Sequence, residues 1–166
     1  ESLIQAYCEA FNFKSWIFRF VSILGNRYTH GHVYDFLKQL HKNPNKLKVL
    51  GDGNQRKSYL HIDDCISAII IAVKKSKNQV NIFNLGTNEY LTVKESIKEI
   101  CKTVNLKPKV SFLGGKRGWI GDSPFIYLDC KRIRSLGWKP KFSIKESLNL
   151  TTKFIIDNKW IFKIRK

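Results

Sequence analysis

Leu47-Lys48-Val49-Leu50-Gly51-Asp52-Gly53-Asn54-Gln55-Arg56-Lys57-Ser58-Tyr59-Leu60-His61-Ile62-Asp63-Asp64 is the stretch from which the rest of the chain can be read. A short apolar segment runs into Gly51-Asp52-Gly53. Gln55 and the basic pair Arg56-Lys57 follow, and an alternating run then ends in two aspartates ahead of a long apolar segment. Glycines let a backbone turn its amides toward an anion, and the adjacent cations add charge and hydrogen bonds. The stretch therefore reads as a loop able to hold a phosphorylated ligand, a composition it shares with ordinary surface turns. It is not a standard phosphate motif. Arg56 stands where a dinucleotide fingerprint would have its third glycine, and there is no P-loop.

Behind the loop, Cys65 to Lys75 has the apolar content of a buried helix, and Asp63 or Asp64 is placed to cap it. Ahead of it, Glu1 to Phe13 has apolar residues at helical spacing. Trp16 to Leu24 reads as one buried strand closed by Gly25-Asn26, and His32 to Lys42 as a helix stopped before Asn43-Pro44. Val80 to Leu85 reads as a strand. Thr92-Val93-Lys94-Glu95 and Ser143-Ile144-Lys145-Glu146 are capping boxes, opening helices to about Val104 and Asn158. Val110 to Leu113 reads as a strand, and Asp129 is expected to cap a short helix ended by Gly137. Helices alternate with short strands, so the fold class is α/β. A second glycine-rich loop, Gly114-Gly115-Lys116-Arg117-Gly118-Trp119-Ile120-Gly121-Asp122, brings another cation. Two such loops could close around one diphosphate.

The totals limit the alternatives. The chain has 166 residues, 43% of them hydrophobic, which fits one domain. No apolar run is long enough to cross a membrane as a helix, and no signal-peptide pattern opens the chain. The absence of methionine, even at position 1, suggests a piece of a longer protein. Cys8, Cys65, Cys101 and Cys130 are scattered without a C-x-x-C pair, as expected of buried thiols in a reducing, cytoplasmic setting. The net charge of +17 is spread along a lysine-rich chain, so it reads first as a solvated surface. A basic nucleic-acid-binding module remains the alternative from another class, but strands interleaving aromatics with arginine are not apparent. His30-Gly31-His32 could present two imidazoles, but no third ligand is near and no metal site is expected. Tyr-x-x-x-Lys recurs at Tyr34/Lys38, Tyr90/Lys94 and Tyr127/Lys131, each outside the strand-and-loop context of a proton-transfer pair. All three are read as structural.

Taken in order, these motifs resemble the C-terminal half of an extended short-chain dehydrogenase of the NAD-dependent nucleotide-sugar epimerase/dehydratase family. Arg19-Phe20-Val21-Ser22-Ile23-Leu24-Gly25 is similar to the family's R-x-x-N-x-x-G strand end. Gly51-Asp52-Gly53-Asn54-Gln55 with Tyr59-Leu60-His61-Ile62-Asp63-Asp64 resembles its GDG-x-Q loop and following VDD. Phe83-Asn84-Leu85-Gly86 resembles YN-x-G. Gly121-Asp122, Asp129 and Leu136-Gly137-Trp138-Lys139-Pro140 resemble its GD, D and LGW-x-P ending.

The resemblance implies a Rossmann-type fold represented by its substrate-binding portion, with the dinucleotide-binding portion absent. It implies that residues 1–26 end the cofactor domain and that 27–166 form the nucleotide-sugar domain, parts of which pack back on the former. The glycine fingerprint and catalytic Tyr-x-x-x-Lys would lie upstream, leaving no catalytic residue in this chain and an inactive fragment. Phe20 and Val21 would pass near the nicotinamide of NAD. Ser22, Lys48, Leu50, Arg56, Lys57, Arg117 and Asp122 would contact a nucleotide-diphosphate sugar, UDP-linked by preference. Lys57 takes the place of a phosphate-binding arginine, with Arg56 beside it as the other candidate. Ser22 replaces an asparagine, and Trp119 stands where a second arginine is usual, with Arg117 two residues earlier. The implied reaction is a sugar-nucleotide 4-epimerisation through a 4-keto intermediate, with 4,6-dehydration or decarboxylation as the related alternatives. A homodimer of the complete enzyme and an exposed apolar surface around Glu1 to Leu24 are also implied.

Overall fold

The computed structural model describes residues 1–118, 121–122 and 125–164. The first part of the chain runs α1 (Ser2–Phe11), β1 (Ser15–Phe20), β2 (Ser22–Leu24), α2 (His32–Lys42), β3 (Lys46–Val49), β4 (Arg56–Lys57) and β5 (Tyr59–His61). There follow α3 (Ile62–Lys75), β6 (Val80–Leu85), β7 (Leu91–Thr92), α4 (Val93–Val104) and β8 (Lys109–Phe112). The chain closes with α5 (Lys131–Ser135), α6 (Ile144–Asp157) and α7 (Ile161–Ile164).

Among the described residues three strand pairs are parallel. β1 lies on β6 from Ser15↔Val80 to Phe20↔Leu85, β2 on β5, and β3 on β8. Parallel neighbours need a crossover, and helices supply it here: the chain passes through α2 between β2 and β5, and through α3 and α4 between β3 and β8. The single strand expected over Trp16–Leu24 is two strands, broken at Val21. The break transfers the chain from one neighbour to another, because β1 pairs with β6 whereas β2 pairs with β5. Val21 still donates its N–H to the Leu85 carbonyl at 3.2 Å.

Among the described residues two apolar clusters form. One joins α2, β3, α4 and α6 through Val33, Leu37, Leu47, Ile97, Ile100 and Leu148, with Ile161 of α7 completing it. The other joins Val21, Leu60, Cys65, Ala68, Phe83, Leu85, Ile133 and Trp138. The second thus gathers the first strands, α3, β6 and α5 into one body. Segments from the middle and end of the chain pack back on its beginning.

Local signals account for most boundaries. Thr92–Glu95 and Ser143–Glu146 both form full capping boxes. The cap of α5 expected at Asp129 falls instead to Cys130, which makes no side-chain hydrogen bond there. Asp129 lies one residue earlier and accepts from the Lys131 N–H at 2.9 Å, while Gly137 turns the chain at φ +88°.

The aspartates at the start of α3 act differently from expectation. The cap is His61, whose side chain accepts from the Asp63 N–H. Asp64 is 1% exposed and accepts the backbone N–H groups of Lys141 (2.9 Å) and Phe142 (3.0 Å). Its carboxylate satisfies a distant loop, a long-range use that helix-start composition cannot show. All four cysteines are free thiols, with Cys101 half-buried and the others buried.

Candidate functional site

A cleft of about 690 Å³ opens between β2, the start of α2 and the two glycine loops. The loops are joined to each other. The β3–β8 pairing runs on into a bridge between Gly51 and Gly114, with the Gly114 N–H donating to the Gly51 carbonyl at 3.1 Å. Gly51 has φ +79°, and a Cβ there would sit 1.6 Å from Gln55 Nε2. Its missing side chain is the seat of the Gln55 carboxamide, which donates to the Leu50 carbonyl at 3.2 Å. Asp52 is occupied in the turn itself. It accepts from the backbone and side-chain amides of Asn54, and these hydrogen bonds hold its carboxyl below the usual range.

Strand alternation then sorts the basic pair. Successive side chains of a strand point to opposite faces, so Gln55, Lys57 and Tyr59 line the cleft while Arg56 does not. Arg56 lies on the other side, its guanidinium 4.6 Å from the Phe125 ring centroid and 5.4 Å from that of Tyr90. Lys57 forms an ion pair with Asp122, and the two side chains are 20% and 17% exposed. Sheltered this far from water, the pair is less screened than a surface bridge. Gly118 leaves room for it, since a Cβ there would lie 3.2 Å from Asp122 Oδ2.

Five of the expected contact residues, Ser22, Lys48, Leu50, Lys57 and Asp122, line this one cleft. Arg117 is exposed and is not among the lining residues. Trp119 lies outside the described residues. Phe20 is exposed at the end of β1 and Val21 is buried at the strand break, both away from the cleft lining.

The lining also includes residues not singled out as ligand contacts: Tyr28, His30, His32, Gln55 and Tyr59 among them. His32 Nδ1 and the Tyr59 hydroxyl are 2.7 Å apart. Burial, reinforced by the charge of Lys57 and partly opposed by Asp122, pushes the His32 imidazole down to about 4. Burial raises the Tyr59 phenol well above its ordinary value, and burial with the charge of Asp35 raises that of Tyr28. Near neutral pH all three rings are uncharged. The cleft thus offers the ion-paired Lys57, a second lysine at Lys48, neutral hydrogen-bonding rings and an apolar rim at Leu50 and Leu113. Among the described residues no group of three or more His, Cys, Asp or Glu could hold a metal ion. Among them, too, no helix is long and apolar enough to cross a membrane.

A profile of the NAD dependent epimerase/dehydratase family matches residues 1–86. Human dTDP-D-glucose 4,6-dehydratase is 26% identical over 163 residues, covering 95% of this chain and 46% of that protein. A crystal structure of a UDP-galactose 4-epimerase superposes with a TM-score of 0.83 at 25% identity, covering 96% of this chain and 51% of that one. The structure of a UDP-glucose 4-epimerase with UDP-glucose from Thermotoga maritima superposes at 0.82, with 23% identity over 95% of this chain and 51% of that one. The chain spans about half the length of the curated relatives it matches.

Proposed function

Because this chain belongs to the NAD dependent epimerase/dehydratase family, we propose that its cleft grips the nucleotide diphosphate of a sugar nucleotide, UDP-linked by preference. The observation that carries this reading is the convergence of Lys57, Asp122, Lys48, Leu50 and Ser22 on one 690 Å³ cleft walled by two joined glycine loops. In this reading Lys57 meets the phosphates, Asp122 the ribose, and Leu50 and Lys48 flank the base. Ser22 contacts the sugar side. Residues 1–26 belong with the cofactor-binding domain and 27–166 with the sugar-nucleotide domain. Residues 60–85 and 128–138 pack back against the former, in keeping with their shared apolar cluster.

When bound, NAD supplies the acceptor for the sugar's hydride. Toward it the described residues offer an apolar flank, Phe20, at the carboxyl end of the parallel β1–β6 pair, where α/β sheets place ligands. No glycine fingerprint for its pyrophosphate occurs in the sequence. The part of this chain is therefore to bind and orient the sugar nucleotide.

The reaction we favour for the whole protein is 4-epimerisation through a 4-keto sugar, in line with the two epimerase superpositions. The 26% identity to a dTDP-glucose dehydratase favours 4,6-dehydration as the second reading. Isothermal titration with UDP tests the grip: saturable heat, with binding weakened in Lys57→Ala, is expected. No heat with UDP, together with steeply salt-dependent binding to generic DNA or RNA, would overturn it in favour of a nucleic-acid module.

A further inference from the structure

Two buried polar atoms of the cleft lining, Oε1 of Gln55 and Nε2 of His32, have no hydrogen-bond partner among the described residues, and the second belongs to a ring that is otherwise held in place. His32 opens α2 and lines the cleft, and its Nε2 is buried without a hydrogen bond. Its ring is fixed. Phe36 and Tyr59 lie against it at centroid distances of 5.3 and 5.7 Å, and Nδ1 is held by the Tyr59 hydroxyl at 2.7 Å. A buried polar group left unpaired costs free energy, so such an atom in a native cleft calls for a ligand or a water.

Proton counting says which kind of partner it needs. If Nδ1–H donated to the Tyr59 oxygen, the phenolic hydrogen and the bare Nε2 would both lack partners. If the Tyr59 O–H donates to Nδ1, only an Nε2–H remains unmet. The second arrangement leaves fewer buried groups unpaired, and it makes Nε2 a donor. The imidazole is neutral near pH 7, so it carries one proton and the assignment is exclusive.

We infer that His32 is a further binding residue, whose Nε2–H donates to an oxygen of the bound sugar nucleotide on the phosphate or sugar side of the base. The inference rests on the proposed function of the cleft and adds a contact to it. Its position beside Lys57 and Asp122, which both act electrostatically on the ring, puts that oxygen near the diphosphate. An aliphatic side chain at the same place would close the cleft wall without asking anything of the ligand. A fixed donor there rewards ligands that carry an acceptor and penalises those that do not.

The test is a long-range 15N–1H spectrum of the imidazoles in the full chain near neutral pH, with the His32 signals assigned by their loss in His32→Gln. The expected result is an Nε2–H tautomer in the unliganded chain and a downfield shift of that N–H on adding UDP-glucose, with uridine leaving it unmoved. A shift already complete with UDP assigns the contact to a phosphate; one needing UDP-glucose assigns it to the sugar. His32→Phe should weaken UDP-glucose about tenfold, the size of one hydrogen bond. An Nδ1–H tautomer, or unmoved His32 resonances with UDP-glucose bound, would overturn the role of His32 alone. No binding of UDP-glucose by calorimetry would overturn the reading of the cleft itself, and should His32→Phe fail to fold, the spectra of the unaltered chain decide.

Discussion

Lys57 on β4 and Asp122 in the second glycine loop are ion-paired inside the cleft although 65 residues separate them. The pair ties the two loops together and sets the one lysine that faces the cleft from β4 at its polar end. A diphosphate would compete with Asp122 for that ammonium. Lys57→Ala is therefore expected to weaken UDP about tenfold or more, since it removes a charge-assisted contact. Arg56→Ala should change UDP affinity less than twofold, because Arg56 stacks on Phe125 and Tyr90 on the opposite side of the strand. Calorimetric titration of both variants checks the contrast, and equal losses would refute the sorting by strand alternation.

Asp64 and Asp63 should differ sharply in their contribution to stability. Asp64→Ala strips two backbone N–H groups of a buried acceptor and is expected to cost about 2–4 kcal/mol. Asp63, whose side chain is 70% exposed, should cost within about 0.5 kcal/mol on the same change. Urea unfolding midpoints measure both. A small loss for Asp64→Ala would mean that the segment at Lys141–Phe142 is held by other contacts.

Acid should loosen α4 and α6 first at their starts. The Glu95 and Glu146 carboxyls are both held below their ordinary value, Glu95 by the backbone and hydroxyl of Thr92 and Glu146 by the hydroxyl and backbone of Ser143. A carboxyl depressed on folding stabilises fully above its unfolded value, and that contribution fades as pH falls through the folded one. Thr92→Ala is expected to cost about 1 kcal/mol at pH 7. The cost should shrink when the unfolding is repeated well below the ordinary glutamate value of 4.5. A cost independent of pH would remove Glu95 from the cap.

The sequence could show what neighbouring residues decide among themselves. Thr92–Glu95 and Ser143–Glu146 carry their cap geometry in four residues, and the bounds of α2 and β6 follow from local apolar spacing and punctuation. What it could not show are choices made by distant partners. Val21 breaks a continuous apolar run because β5 and β6 each claim half of it. Asp64 looks like a helix cap until Lys141 and Phe142 arrive from 77 and 78 residues away. The basic pair named the phosphate end of the site, but only the pairing of β4 with β7 decides which member faces it. His32 read as half of a weak metal pair, because its partner Tyr59 lies 27 residues on.

Gly51 and Gly114 face each other across the bridge with nearly equal φ, +79° and +80°, so they separate backbone strain from crowding. An added Cβ at Gly114 meets nothing within 4 Å, whereas at Gly51 it meets the Gln55 carboxamide at 1.6 Å. Gly114→Ala should therefore lose only the cost of a left-handed alanine, about 1–2 kcal/mol. Gly51→Ala should lose that and more, because Gln55 must leave its seat and its hydrogen bond to the Leu50 carbonyl. With Gln55 displaced into the cleft, UDP affinity should fall in Gly51→Ala and hold in Gly114→Ala. Urea midpoints and UDP titrations on the two variants test this, and equal effects would show that the seating of Gln55 is not what requires glycine at position 51.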